Sequence, residues 1–130
     1  MALLDVLKQL LPSTFGPADL EALRAAQDRT VLLDVREPDE FADGHIAGSV
    51  LLPVGKVPHH AATIAEAGVP VVVICRSGAR ASSSAGLLRQ AGATSVQVLA
   101  GGVLAWAREG RALERGSRSP ALLAALKGRR

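Results

Sequence analysis

Val71-Val72-Val73-Ile74-Cys75-Arg76-Ser77-Gly78-Ala79-Arg80 is the stretch that decides the fold. An unbroken run of β-branched residues is the pattern of a strand buried on both faces of a parallel sheet. The run breaks at Cys75 into a glycine-containing loop, and helical patterning resumes at about Arg80 and lasts to Gln90, with Gly92 as its cap. Cys75 therefore falls where a buried strand hands over to a helix. In open α/β sheets that carboxyl end is where ligands bind.

Working outward, Pro17 at a first helical position, followed by Leu20, Leu23 and Ala26, predicts an amphipathic helix of about ten residues. Val31-Leu32-Leu33 predicts a short strand ending at Asp34, and Pro38 to Phe41 a single helical turn stopped by Asp43-Gly44. Ser49 to Leu52 reads as a second strand closed by Pro53, and Pro58 to Ala67 as a helix ended by Gly68. The helix after the Cys75 loop opens with Ala81-Ser82-Ser83-Ser84-Ala85-Gly86, small residues that let it pack close to a sheet. Ser95 to Leu99 and Val103 to Glu109 complete the series as strand and helix. Short strands alternating with helices define an α/β domain with a mostly parallel central sheet and helices on both faces. Met1 to Leu11 and Ser119 to Leu126 are predicted as helices appended to this core.

The chain has 130 residues, enough for one domain with a sizeable core. A single cysteine excludes an internal disulfide and any multi-cysteine metal site, and suits a reducing compartment. The N-terminal stretch carries Asp5 and Lys8 and lacks a basic leader and a small-residue cleavage pattern, so it reads neither as a signal peptide nor as a membrane span. Cytoplasmic residence is the expectation. The net charge of +3 and pI near 9.8 favour small anions or an acidic partner. The excess gathers in the tail, where Arg111, Arg115, Arg118, Lys127, Arg129 and Arg130 face only Glu114, and it reads as a solvated face. Two Phe, one Trp and no Tyr leave too few stacking platforms for a nucleic-acid reader. Neither nucleic acid nor membrane is an expected partner.

The loop after β-branched residues 71–74 has the makings of a nucleophile's seat. A helix N-terminus presents unpaired N–H groups and the positive end of the helix dipole, and successive loop amides form a nest that favours an anion. Arg76 and Arg80 add permanent positive charge. Settings of this kind stabilise a thiolate, so Cys75 is the candidate nucleophile, against the common role of a free cysteine as a small buried hydrophobe. Asp34 and Arg36 end a strand and are expected to pair, fixing the strand-to-helix loop behind the site. His59 and His60 are adjacent on a helix and point in different directions, with no further cluster to make a metal site. Trp106 is expected to anchor the last helix in the core.

Three blocks of residues resemble the single-domain rhodaneses, a family of sulfurtransferases. Leu33-Asp34-Val35-Arg36-Glu37 with Phe41 and Gly44-His45-Ile46-Ala47-Gly48-Ser49 is similar to the family's N-terminal signature. Cys75-Arg76-Ser77-Gly78-Ala79-Arg80 is similar to its active loop, and Gly101-Gly102-Val103-Leu104-Ala105-Trp106 to its C-terminal signature. The resemblance divides the chain into a helical extension over 1–14, a rhodanese-like three-layer domain over 15–110, and a basic, partly helical extension over 111–130.

The resemblance implies a two-step transfer with no metal or organic cofactor. The Cys75 thiolate attacks the outer sulfur of thiosulfate or a similar donor, releases sulfite and holds a persulfide. Cyanide, a small thiol or a thioredoxin-like protein then takes that sulfur. It implies that the amides of Arg76, Ser77, Gly78, Ala79 and Arg80 cradle the persulfide, and that the Arg76 and Arg80 side chains hold donor oxygens. An arginine directly after the cysteine goes with thiosulfate-type donors in the family, a glycine with mercaptopyruvate. His45 falls in a Gly-His-Ile turn similar to a structural element of the family, and a preformed thiolate needs no base. Cysteine phosphatases and arsenate reductases place five residues between Cys and Arg, whereas four stand here, and no Asp lies beside the loop as a general acid. A persulfide carrier or interaction module serving one dedicated partner is the other alternative.

Overall fold

The computed structural model describes residues 14–26 and 29–128. Strands β1 (Thr14–Phe15), β2 (Val31–Asp34), β3 (Val50–Leu51), β4 (Val71–Ile74) and β5 (Val96–Leu99) form one sheet in the order β1-β5-β4-β2-β3. Every pairing is parallel. The helices are α1 (Pro17–Ala26), α2 (Pro38–Asp43), α3 (Val57–Ala67), α4 (Ala79–Gln90), α5 (Gly102–Arg108) and α6 (Leu122–Leu126), with a 3-10 turn at Val54–Lys56 leading into α3.

Alternation along the strands sorts the core into two halves, because successive side chains of a strand face opposite ways. Val71, Val73 and Cys75 join Leu33, Val35 and Val98 against Val57, Ala61 and Ile64 of α3 and Ala81, Ala85 and Leu88 of α4. Val72 and Ile74 join Leu32 and Leu99 against Leu20 of α1 and Val103 and Trp106 of α5. The result is the expected three-layer sandwich with a buried parallel sheet. Register then levels the strand ends: Asp34 stands opposite both Ile74 and Leu51, so β2, β3 and β4 finish together beside Cys75.

Most element bounds agree with the sequence pattern, and the differences have local causes. Strand β1 is not foreseen because two residues carry no periodic signal; its pairing of Phe15 with Leu99 creates it. The helix expected from Ser119 begins only at Leu122. Pro120 disfavours helical backbone at the residue before it, and the Ser119 hydroxyl instead accepts a hydrogen bond from Leu51 N at 2.8 Å. The helix expected over Met1 to Leu11 lies outside the described residues.

Residues 111–128 pack on the domain. Trp106, 2% exposed, donates from Nε1 to Ala112 O at 2.9 Å and so draws the chain back across α5. Leu113 reaches one half of the core and Leu126 the other. The solvated tail face expected from the charge run therefore begins later than Arg111. That residue lies over the Trp106 ring, 5.4 Å from its centroid, and pairs with Glu21 at 3.3 Å and Glu109 at 3.1 Å. Arg115 and Arg118 are exposed as expected.

On α4, Ser84 is fully buried, and its hydroxyl has no hydrogen-bond partner. An unsatisfied buried hydroxyl carries a desolvation penalty, and Ala is the better helix former. Ser84→Ala is expected to raise stability by about 1 kcal/mol, read as a higher urea midpoint with an unchanged m-value.

Candidate functional site

Strand β4 delivers Cys75 to the carboxyl edge of the sheet, and the chain enters α4 three residues later through Gly78. Gly78 adopts φ +123°, a conformation that side-chain-bearing residues rarely take. That turn aims its N–H at the Cys75 sulfur, 3.0 Å away. Cys75 is 1% exposed, whereas Arg76, Ser77 and Ala79 are exposed and Gly78 and Arg80 half-buried. The sulfur thus lies beneath a rim made by its own loop. The Arg76 guanidinium makes no hydrogen bond or ion pair among the described residues and stands free at that rim.

A second wall comes from the start of α5. Val103 N donates to Cys75 O at 2.9 Å and Leu104 N to Arg76 O at 3.1 Å, so amides that would be orphaned at a helix start grip the loop backbone. Gly102 permits the approach: at φ +59° any Cβ it carried would collide with the carbonyl oxygens of Cys75 and Arg76. Sequence reasoning places Gly102 in a signature but gives it no task. The Gly101-Gly102 pair ahead of a helix was the available signal.

Behind the loop, Asp34 (0% exposed) and Arg36 (5%) form the expected pair. Arg36 Nε donates to Asp34 Oδ1 at 3.0 Å and Nη2 to Oδ2 at 2.8 Å. The same guanidinium donates to Glu40 O at 3.3 Å and Gly44 O at 2.8 Å, which fastens α2 at its middle and just past its carboxyl end. Neither residue makes a hydrogen bond to the cysteine loop, so their part in the site is to hold what carries Glu40.

Glu40 is the residue that sequence reasoning missed. Arg80, expected to hold a donor oxygen, gives Nη1 to Glu40 Oε1 at 2.6 Å and Nη2 to Oε2 at 2.9 Å. That two-pronged bond holds the Glu40 carboxyl at about 2, below its ordinary 4.5, with partial burial opposing the shift and a bond from Glu37 N assisting it. In return Glu40 raises Arg80 above the usual guanidinium value. Glu40 also closes a helix-capping box with Glu37, the N-cap of α2. Its partner Arg80 lies 40 residues on and leaves no local trace.

The remaining candidates take structural places. His45 is 3% exposed, its ring stacks on Phe41 with centroids 3.8 Å apart, and Nδ1 lies 2.9 Å from Phe41 O. Its backbone exchanges two 2.8 Å hydrogen bonds with Glu114. His59 is exposed, and no group of three or more His, Cys, Asp or Glu gathers among the described residues. No helix among them is long and apolar enough to cross a membrane. A groove of about 580 Å³, lined by Arg24, Arg29, Val31, Ala47 and Ala121 among others, opens at the amino ends of β2 and β3, the edge opposite Cys75.

A parallel α/β sandwich with a cysteine loop at its carboxyl edge, flanked by an arginine-bearing rim, defines a class of thiol-centred domain. The rhodanese-like domain family matches residues 16–109, and the chain belongs to that family. It is 41% identical over 95 residues to a sulfurtransferase of Allochromatium vinosum, covering 71% of this chain and 88% of that protein. It is 38% identical over 97 residues to an uncharacterized protein of Synechocystis, covering 75% of this chain. The chain spans about half the length of that second relative, 53%. Among solved structures, a rhodanese-related protein of Thermoplasma volcanium superposes with a TM-score of 0.69 at 30% identity, over 79% of this chain and 98% of the other.

Adding a methyl group at the loop's second wall tests how tightly α5 must approach. Gly102→Ala is expected to lower stability by about 2–4 kcal/mol, from overpacking and left-handed strain together. Urea unfolding measures it, and the same change at Gly55, an exposed position where a Cβ meets nothing within 4 Å, serves as the control.

Proposed function

We propose that this protein is a sulfurtransferase that carries sulfane sulfur on Cys75 as a persulfide, with thiosulfate or a similar anion as donor. The observation that carries this reading is the seat of the thiol. It is buried under its own loop, receives a hydrogen bond from Gly78 N at 3.0 Å, and has at the rim the cation of Arg76, which has no partner among the described residues. Membership of a family with a sulfurtransferase among this chain's relatives supports it.

In the first step the Cys75 thiolate attacks the outer sulfur of thiosulfate, a sulfur–sulfur bond forms, and the old one breaks with its electron pair leaving on sulfite. The product, Cys75–S–S⁻, keeps a single negative charge. In the second step a nucleophile such as cyanide or a thiolate attacks the terminal sulfur and returns Cys75 as thiolate, so charge and sulfur balance over the cycle. Amides of the loop from Arg76 to Arg80, of which Gly78 N already faces the sulfur, would stabilise both the persulfide and the departing oxyanion. Arg76 would meet the sulfonate oxygens by charge-assisted hydrogen bonds. The short loop, with four residues between Cys75 and Arg80, suits one added sulfur atom better than a tetrahedral phosphate. The acceptor would be cyanide, a small thiol or a thioredoxin-like protein.

Intact mass after incubation of reduced protein with thiosulfate is the direct check. Wild type is expected to gain one sulfur, about 32 Da, and Cys75→Ser nothing. An unchanged wild-type mass, with a gain on mixing with a loaded protein partner, would shift the reading to a dedicated carrier; turnover of an aryl phosphate would shift it to a phosphatase. Arg76→Gly is expected to reduce kcat/KM for thiosulfate by an amount equal to about 1.5–3 kcal/mol. An unchanged value in steady-state kinetics would remove Arg76 from the donor site.

A further inference from the structure

Two arginines flank Cys75, but the fold treats them differently. Arg76 is exposed and has no partner among the described residues, whereas both outer nitrogens of Arg80 are bound to the two carboxylate oxygens of Glu40, at 2.6 and 2.9 Å. Glu40 is held in place from three directions: Glu37 N donates to Oε1 at 3.1 Å, Arg36 Nη1 donates to its carbonyl, and the helix that carries it is tied by Arg36 to Gly44. The pair is about two-thirds covered, with side-chain exposures of 34% and 28%, so it is neither a free surface contact nor a fully dry one.

We propose that Glu40 is a positioning residue that sets donor specificity by withholding Arg80 from the site. The proposal rests on the sulfurtransferase reading and adds to it what sets the preference between donors of different charge. With Arg80 neutralised, the rim offers one available cation among the described residues in place of two, which roughly halves the electrostatic margin of a dianionic donor over a monoanionic one. A monoanionic donor such as an alkyl thiosulfonate then competes with thiosulfate on nearer terms. A site with two free guanidinium groups would instead favour the dianion steeply, since attraction scales with the product of the charges.

Glu40→Gln separates these cases. A glutamine keeps the capping bond to Glu37 N, so α2 retains its start, but it cannot neutralise Arg80. Steady-state kinetics at low ionic strength with thiosulfate and methanethiosulfonate give the readout. Wild type is expected to show KM values for the two donors within about threefold of each other, a difference below 1 kcal/mol. In the variant, KM for thiosulfate is expected to fall about five- to tenfold and that for methanethiosulfonate about threefold or less, with kcat little changed. An unchanged or raised thiosulfate KM, or an equal fall for both donors, overturns the proposal. A wild type that takes sulfur from neither donor overturns the sulfurtransferase reading itself, which is a different result.

A second measurement needs no change at Glu40. In otherwise native protein, Arg76→Gln is expected to remove most of the salt dependence of kcat/KM for thiosulfate, because Arg76 is the cation left at the rim. Persistence of about half of that dependence means that Arg80 also meets the donor, and the proposal fails.

Discussion

The buried pair of Asp34 and Arg36 is the interaction from which the site is hung. Two charges at 0% and 5% exposure survive there because the guanidinium is satisfied four ways: by both carboxylate oxygens and by the carbonyls of Glu40 and Gly44. A pair so placed contributes little net stability over an apolar substitute, yet removal of one partner would strand the other in the core. Its value lies in direction. It joins the end of β2 to the middle and carboxyl end of α2, and α2 carries Glu40 to Arg80 at the far side of the cysteine loop.

Close approach is the second constraint. The loop after β4 is short, and its backbone is held from two sides. Gly78 bends it so that an amide faces the sulfur, and Gly102 lets α5 come near enough for Val103 and Leu104 to bond its carbonyls. Both positions need a backbone without Cβ, one for its φ value and the other for φ and space alike. The sheet contributes by register, since β2, β3 and β4 end level and bring Asp34, Leu51 and Ile74 to one edge.

Much of this was legible in the residues because the signals are local. Strand β4 and the helix after Cys75 follow from an apolar run broken by a glycine loop, and α3 from a proline start and a glycine stop at Gly68. Shorter or non-local features were not. Strand β1 exists only because β5 offers a free edge, α6 is cut short by Pro120, and Arg111 is taken out of the tail's charged face by Trp106, Glu21 and Glu109.

The sequence by itself determined the order of the strands and helices from α1 to α5, the seat of Cys75 at a strand's carboxyl end, and the family. These follow from spacing and chemistry within a few residues. Only the tertiary structure decided what the charges near the thiol do. Arg76 and Arg80 are alike in sequence and differ by one distant carboxylate, which a 40-residue separation hides until the sheet closes the gap. An arginine's charge is fixed by its chemistry, but whether that charge is available is fixed by what folds against it.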